Sequence, residues 1–171
     1  MKLSPDGSPF SFSLAVSTGT IGINNTKGSL FSVFLQEQAE DQEKYFHIPG
    51  EYEKADIAAY LIHMGAKYFL GKLYAEEVHI AFFSSEGATL PENVDEVFGE
   101  VDILVFEKSP EGISDSEAKK MLEKIDPRIV VFSKDSLDFA KKSGFVVEAV
   151  ETLSFTRVSL PMEKTEFYVM G

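Results

Sequence analysis

The stretch GEVDILVFEKSPEGISDSEAKKMLEKIDPRIVVF, residues 99–132, decides the fold of this chain. It opens with a nearly continuous apolar run, residues 101–106, which is typical of a strand covered on both faces. Ser114, with Glu117 three residues on, predicts a helix that begins with a capping box. The apolar face of this helix consists of Ala118, Met121, Leu122 and Ile125. A second buried strand at residues 129–132 completes a β-α-β order.

The flanking sequence extends this order in both directions. Downstream, residues 136–143 predict a second helix closed by Gly144, residues 145–149 predict a strand, and residues 153–160 and 167–170 predict a terminal strand pair. Upstream, apolar and polar residues alternate, and short apolar runs follow between turns. The predicted upstream strands are residues 10–16, 20–24, 31–35, 45–48, 57–64, 68–74 and 78–83. A β-rich half followed by β-α-β-α-β predicts two packed sheets with helices outside.

Composition and charge disfavour several classes of function. The chain has 171 residues, a net charge of −12 and no cysteine. The negative charge and the absence of a basic patch disfavour binding to nucleic acid. The missing thiols exclude disulfides, thiolate nucleophiles and zinc–sulfur sites. We find neither a signal peptide nor a run of about 18 apolar residues that could span a membrane, and we expect a cytoplasmic protein without membrane contact.

The histidines and serines show none of the usual catalytic patterns. His47, His63 and His79 lie too far apart in sequence to supply the close ligand pairs of a zinc site. A single histidine in a strand is more often a packing residue, and we expect that role here. The segment SSEG, residues 84–87, lacks the Gly-x-Ser-x-Gly pattern of a nucleophile elbow, so a polar loop is the simpler interpretation.

The segment VFLQEQAEDQE, residues 33–43, places a run of mostly polar residues directly after an apolar one. Glu37, Glu40, Asp41 and Glu43 carry the oxygen ligands that a hard cation prefers, although their spacing is not that of an EF-hand. A solvated loop explains the same composition more simply.

Three segments carry a resemblance to a known family. IPGEYEKADI, residues 48–57, resembles the Pro-Gly-Glu-Tyr-Glu segment of a prokaryotic branch of metallo-β-lactamase-fold hydrolases that are described as zinc-dependent. Residues 99–132 resemble the family's strand–helix–strand passage, and residues 153–170 resemble its last two strands around a Leu-Pro. The resemblance covers residues 44–171 well and the first 43 weakly. It implies one domain over residues 1–171, of the α/β (α+β) class: an αββα sandwich of two mixed β-sheets packed face to face, with helices outside.

The resemblance also locates the family's metal site. Activity in the family rests on two metals, usually zinc, which activate a bound water. A His-x-His-x-Asp-His loop and further histidine and aspartate residues at strand ends hold these metals. In this chain the loop falls on residues 36–41, where Gln36 and Gln38 replace the leading histidines, Glu40 the aspartate and Asp41 the final histidine.

The other ligand positions are substituted as well. Ser85 stands in place of an aspartate, and Lys134 lies near the position of the last histidine. Because a glutamine amide is a poor zinc ligand, the resemblance implies that the zinc site is lost and that the chain holds no metal or other cofactor. A lysine there would place an ammonium in the former pocket, where we expect it to pair with Glu40 or Asp41 and replace the missing cation.

Two functions follow from these substitutions. The first is a catalytically degenerate protein, a pseudoenzyme with a binding or structural role, whose partner is another protein or a second copy of the chain in a homodimer. The alternative is a metal-dependent hydrolase with a non-standard carboxylate ligand set, in which Glu40, Asp41, Glu51 or Glu53 binds Mg²⁺ or Mn²⁺ or performs acid–base chemistry. Nucleases of the wider superfamily suggest a third hypothesis, binding to nucleic acid. The negative net charge of the chain disfavours it.

Overall fold

The computed structural model describes residues 1–6, 10–24, 32–37, 40–46, 50–54, 56–63 and 69–171, which form two β-sheets. The first sheet consists of β1 (Lys2–Pro5), β2 (Phe12–Val16), β3 (Gly19–Asn24), β4 (Ser32–Glu37), β5 (Glu40–Phe46) and β13 (Leu153–Ser154). Their order is β13-β1-β2-β3-β4-β5, and every described pairing is antiparallel. From β1 to β5 the neighbours in the sheet are also consecutive in the chain, and consecutive strands with short connections pair antiparallel. The strand β13 pairs with β1 from far along the chain.

Among the described residues the second sheet has eight strands, and it contains the β-α-β segment of residues 99–132. It consists of β6 (Gly50–Lys54), β7 (Ile57–His63), β8 (Phe69–Ala75), β9 (Val78–Ser84), β10 (Ile103–Glu107), β11 (Ile129–Ser133), β12 (Val147–Ala149) and β14 (Glu166–Met170). The order is β12-β14-β11-β10-β9-β8-β7-β6, antiparallel from β6 to β9 and parallel from β9 to β12. The mixed pairing predicted for both sheets therefore holds for the second sheet, whereas the first is antiparallel.

Within the described part of the chain, three α-helices connect and cover the second sheet. They are α1 (Val94–Phe98), α2 (Asp115–Ile125) and α3 (Leu137–Lys142), and short 3₁₀ turns occupy Lys134–Ser136 and Arg157–Ser159. The predicted capping box is confirmed: Ser114 Oγ accepts from the Glu117 amide at 3.2 Å, and Glu117 Oε2 accepts from the Ser114 amide at 2.8 Å. Ser114 Oγ also donates to Glu117 Oε2 at 2.6 Å. This bond and the one from the Ser114 amide lower the pKa of Glu117, because both donors favour the carboxylate form.

Two apolar clusters lie on opposite faces of the second sheet. The cluster between the sheets combines residues of β1–β3 with inward residues of β7–β11, including Phe82. The other cluster combines outward residues such as Phe83 with the buried residues of all three described helices. Phe82 and Phe83 are adjacent on β9 and enter different clusters, because successive strand residues point to opposite faces.

Several predicted elements differ from the observed ones. The terminal pair is wrong, because β13 pairs with β1 in the first sheet and β14 pairs with β11 and β12 in the second. The acidic segment is not the solvated loop that was the simpler interpretation, since residues 36–37 end β4 and residues 40–43 begin β5. The strands β1 and β6 and the helix α1 were not predicted. None of the helices among the described residues is long and apolar enough to cross a membrane.

Candidate functional site

Polar side chains collect at both ends of the parallel strands β9, β10 and β11. At the carboxyl ends lie the residues that we call the carboxyl-edge cluster: Ser84, Ser85, Glu107, Lys108, Ser133 and Ser136. At the amino ends, with one arginine from the Arg157–Ser159 turn, lies the amino-edge cluster: His79, Glu100, Asp102, Arg128 and Arg157. The carboxyl edge of a parallel sheet is the usual place for ligands in α/β proteins. The amino edge also collects charged groups, so the ability of each cluster to bind a ligand or metal is considered in turn.

Serine hydroxyls at the carboxyl edge are bound to neighbouring groups. Ser84 Oγ donates to Glu107 Oε2 at 2.5 Å, and Ser85 Oγ accepts from the Ser109 amide at 2.8 Å. Ser85 is completely buried, and a Cβ added at Gly112 would lie 1.9 Å from the Ser85 carbonyl oxygen. The loop after β10 therefore packs directly on the end of β9 and covers it.

A buried lysine occupies the middle of this edge. Lys108 is only 8 % exposed, and its Nζ donates to the Ser109 carbonyl at 2.8 Å and lies 3.6 Å from Asp115 Oδ1. Its backbone amide donates to Ser136 Oγ at 2.7 Å, and the Ser133 and Ser136 hydroxyls are 2.8 Å apart. An ammonium is thus present at this edge, but it belongs to Lys108 and not to Lys134, which is exposed.

The donor set at the carboxyl edge does not fit a zinc ion. Zinc sites use imidazole, thiolate and carboxylate ligands. The described residues of this edge offer hydroxyls that already bond to backbone or carboxylate, one carboxylate, and a buried ammonium that would repel a cation.

The other predicted site residues lie elsewhere or outside the described part of the chain. Gln36 is in β4 opposite Thr20, Glu40 pairs with Glu37 across a register shift, and Asp41 follows in β5. Gln38 lies outside the described residues, and the pairing of Lys134 with Glu40 or Asp41 stays a prediction. Ser85 follows β9 and Lys134 follows β11, so both lie at the carboxyl edge, and the site role that the resemblance implies for them stays a prediction.

The amino-edge cluster is built around Asp102, a buried acid. Its carboxylate is 2 % exposed and binds Arg157 Nη1 at 2.6 Å through Oδ1, with Arg128 Nε at 3.3 Å from the same oxygen. Oδ2 accepts from the His79 backbone amide at 2.9 Å. Burial of a carboxylate is unfavourable without such donors, so the two arginines and the amide are what stabilise the charge at the start of β10.

His79 is the least satisfied member of the amino-edge cluster. Its Nδ1 is buried without a hydrogen-bond partner, 3.7 Å from Asp102 Oδ2 and 3.9 Å from Glu100 Oε1. These distances are beyond a hydrogen bond but within the range of an ion pair for a protonated ring. His79 therefore has electrostatic neighbours besides the packing role that was predicted for it, because two carboxylates face the same ring nitrogen.

Within the part of the chain that the structure describes, His79, Glu100 and Asp102 are the group of ligand types close enough to hold a metal, with atoms within 4.8 Å of one another. Both Asp102 oxygens are already engaged, and Arg157 lies 4.0 Å from Glu100 as well. A divalent cation would have to displace these donors beside two guanidinium groups. The predicted carboxylates Glu51 and Glu53 are exposed on the edge strand β6 and are not members of this group.

Comparison with known proteins identifies the fold. No protein-family model matches the chain, and no curated protein matches it. A crystal structure from Thermotoga maritima, of a candidate Zn-dependent hydrolase of the metallo-β-lactamase superfamily, superposes with a TM-score of 0.77 at 17 % identity, over 99 % of this chain and 97 % of that one. The fold is metallo-β-lactamase-like. At this identity the likeness concerns the fold alone.

Within the metallo-β-lactamase-like fold, sequence reasoning missed several polar residues of the two clusters, among them Lys108 and Asp102. Lys108 sits in the polar segment EKSPEG directly after the apolar run of β10, and a lysine at a strand end is an available signal. Asp102 interrupts the run VDILVF, and an acid inside a buried strand signals a partner. Arg128 and Arg157 carried no sequence signal, because only the folded chain brings them to Asp102.

Proposed function

We propose that this protein is a catalytically degenerate member of the metallo-β-lactamase-like fold, without the di-zinc site and with a binding role. The observation that supports the proposal is the closed carboxyl edge, where hydroxyls, backbone groups and the Lys108 ammonium bond to one another. Where the family holds metals with imidazoles, the described strand ends of this chain carry groups that neither bind zinc well nor remain free to do so.

Metal content tests this proposal directly. The chain is produced in medium with added zinc, purified without chelator and assayed by elemental analysis. We expect less than about 0.1 metal ions per chain and no change in melting temperature when zinc is added, because a ligand that does not bind the native state cannot stabilise it. Stoichiometric zinc in the purified protein would overturn the proposal.

The second candidate function is a metal-dependent hydrolase with a carboxylate-rich ligand set, favoured by the proximity of His79, Glu100 and Asp102. The arginines beside Asp102 make it the weaker candidate. A His79→Ala variant separates the two functions: a metal bound at the amino edge is lost in this variant, while a metal retained by it occupies another site. Glu92→Gln, which changes an exposed acid outside the cluster, is the matched control.

The partner class in the binding role is proposed to be a protein, a second copy of the chain, or a small molecule, and not a nucleic acid. The net charge of −12 supports the exclusion, because a field of that sign repels phosphate backbones. Light scattering over a range of protein concentrations tests self-association, and a salt-sensitive complex with RNA or DNA would contradict the exclusion.

A further inference from the structure

A cleft of about 450 Å³ lies on the outer face of the second sheet and is lined by residues of β7, β8 and β9. The outward residues nearer the helices, including Leu70 and Phe83, enter the second apolar cluster. Tyr60, Lys72, Tyr74 and His79 belong to the same face but line the cleft instead. The volume is in the range of sites that hold small organic molecules.

Strand register explains why a cleft forms at this place. Tyr60 lies opposite Lys72, which lies opposite Ala81, and in the next row Ala58 lies opposite Tyr74, which lies opposite His79. The two alanines end these rows on opposite sides of β8. Large side chains therefore form the walls, and the short alanine side chains leave space between them.

The walls offer aromatic surface. Tyr74 is 38 % exposed, and its ring centroid is 4.7 Å from that of His79, with the ring planes 37° apart. Tyr60, on the neighbouring strand, is half-buried and lines the same cleft. Partly exposed tyrosine rings present a flat apolar face and a polar tip, a combination that is common where small planar molecules bind.

Lys72 gives the cleft a positive charge without a counter-ion. No carboxylate lies within ion-pair distance of Lys72 among the described residues, and the amine lies 3.2 Å from where a Cβ of Gly99 would stand. Partial burial lowers the pKa of Lys72, because desolvation of the ammonium is not offset by an opposite charge. An anionic group placed here would supply the missing partner.

The rim of the cleft limits the charge that a ligand can carry. Glu53 and Glu100 both line it and are exposed, so a second negative charge on a ligand would face carboxylates. Like charges at such distances are unfavourable. A single carboxylate fits this arrangement better than a phosphate, which carries more negative charge at neutral pH.

We propose that this cleft binds a small planar aromatic monocarboxylate, with the carboxylate on Lys72 and the ring against Tyr74 and Tyr60. The proposal names a ligand class for the binding role proposed above and rests on it. It assigns the ligand to the outer face of the second sheet, away from the closed carboxyl edge.

Calorimetric titration with 2-naphthoate tests the proposal, with 2-naphthamide as the neutral probe of the same shape. We expect 2-naphthoate to bind the wild-type chain and Lys72→Met to weaken that binding at least about tenfold. Lys120→Met, which changes an exposed lysine on α2, is the matched control and is expected to leave the affinity for 2-naphthoate unchanged. The wild-type chain is expected to bind 2-naphthamide about as weakly as Lys72→Met binds 2-naphthoate. Tyr74→Ala weakens both probes, because it removes the ring contact and not the charge.

Three outcomes would each overturn this inference. The first is equal binding of the acid and the amide, and the second is no binding by the wild-type chain. The third is unchanged binding by a Lys72→Met variant that retains the wild-type circular dichroism and melting temperature. These outcomes are separate from the metal assay. If the chain is metal-free and does not bind 2-naphthoate, the ligand assignment is wrong but the proposal of a degenerate site stands. If the chain holds stoichiometric zinc, the proposed function itself is wrong.

Discussion

At the scale of single residues, Asp102 shows how a charge determines the packing of a strand end. Its carboxylate is buried, and Arg128, Arg157 and the His79 amide surround it from three other segments. The interaction therefore ties the starts of β9, β10 and β11 to the Arg157–Ser159 turn. Removal of the charge leaves two guanidinium groups without their partner, although both are partly solvated and lose less than fully buried groups would.

We predict that Asp102→Asn lowers the free energy of unfolding by roughly 2–3 kcal/mol, because the amide cannot serve two arginines and the backbone amide together. Urea denaturation measures the change. Glu100→Gln is the control, since Glu100 is 66 % exposed and exposed pairs contribute at most about 1 kcal/mol. Equal effects of the two substitutions would show that burial of Asp102 is unimportant.

Tyr168 predicts a pH dependence at the alkaline end. Its hydroxyl donates to Glu166 Oε2 at 2.7 Å, and this hydrogen bond, with burial and the nearby carboxylates, raises the pKa of Tyr168 to about 12 from 10.0. The fold favours the neutral phenol, so this contribution to stability is complete below the unfolded pKa near 10 and is lost as the pH rises through 12.

The measurement for Tyr168 is thermal unfolding at two alkaline pH values. Between about pH 10 and pH 11, the melting temperature of the wild-type chain is expected to fall more than that of Tyr168→Phe, which has no phenol to ionise. Absorbance of the phenolate gives an independent reading of the same titration. A parallel fall in both proteins would contradict the assignment.

The site residues show what a sequence can and cannot reveal. Ser85 and Lys134 follow the parallel strands β9 and β11, but the role in a former metal site that the resemblance implies for them stays a prediction. The buried ammonium of Lys108 was not predicted, because an exposed Lys134 and a buried Lys108 look alike in a sequence. The burial of Lys108 depends on the loop after β10, and the path of this loop depends on contacts with Ser85, which directly follows β9.

At the scale of elements, the loop between β10 and α2 is what closes the carboxyl edge. Gly112 lies so near Ser85 that a methyl group would overlap the backbone carbonyl. The Ser109 amide binds Ser85 Oγ from the same loop. The closure thus rests on backbone contact, which cannot adjust as a long side chain can.

We predict that Gly112→Ala destabilises the chain by about 3 kcal/mol or more, because the clash forces the loop away from β9. Gly144→Ala is the matched control. A Cβ at Gly144 meets nothing within 4 Å, so only its positive φ of 83° opposes alanine, at about 1 kcal/mol. Chemical denaturation of both variants checks the order, and a smaller loss for Gly112→Ala would mean that the loop moves freely.

The elements of the second half were more predictable than those of the first. Its buried strands and the helix α2 carry strong signals: continuous apolar runs, a capping box and an apolar helical face. The acidic parts of β4 and β5, residues 36–37 and 40–43, and the strand β6 carry none, since their pairing, and not their composition, makes them strands. The terminal strands were mispaired because proximity in sequence does not reveal that β13 returns to β1.

At the scale of the whole molecule, the second sheet is shared by both apolar clusters. The ring centroids of Phe82 and Phe12, in different sheets, are 6.3 Å apart. Phe83 stacks on Phe106 beneath the helices, with 5.9 Å between the ring centroids. Neither cluster can lose order without affecting β9. We therefore expect the two layers to unfold together in one cooperative transition.

We predict that Phe82→Leu and Phe83→Leu each lower the free energy of unfolding by about 1–2 kcal/mol and each shift one common transition. Near-ultraviolet and far-ultraviolet circular dichroism should give coincident curves for both variants. Glu92→Gln, an exposed substitution, is the control and should change stability by less than about 0.5 kcal/mol. Two separated transitions in the Phe83 variant would show that the helical layer unfolds independently.

The position of β14 has a consequence for how the chain folds during synthesis. This strand lies between β11 and β12, although both precede it in the chain. Each of them can form its pairing with β14 only after β14 has been synthesised. While the ribosome is still translating residues before 166, the nascent chain exposes unpaired edges at Ile129–Ser133 and Val147–Ala149. Such edges invite misassociation, so we expect the nascent chain to depend on chaperones until β14 has emerged.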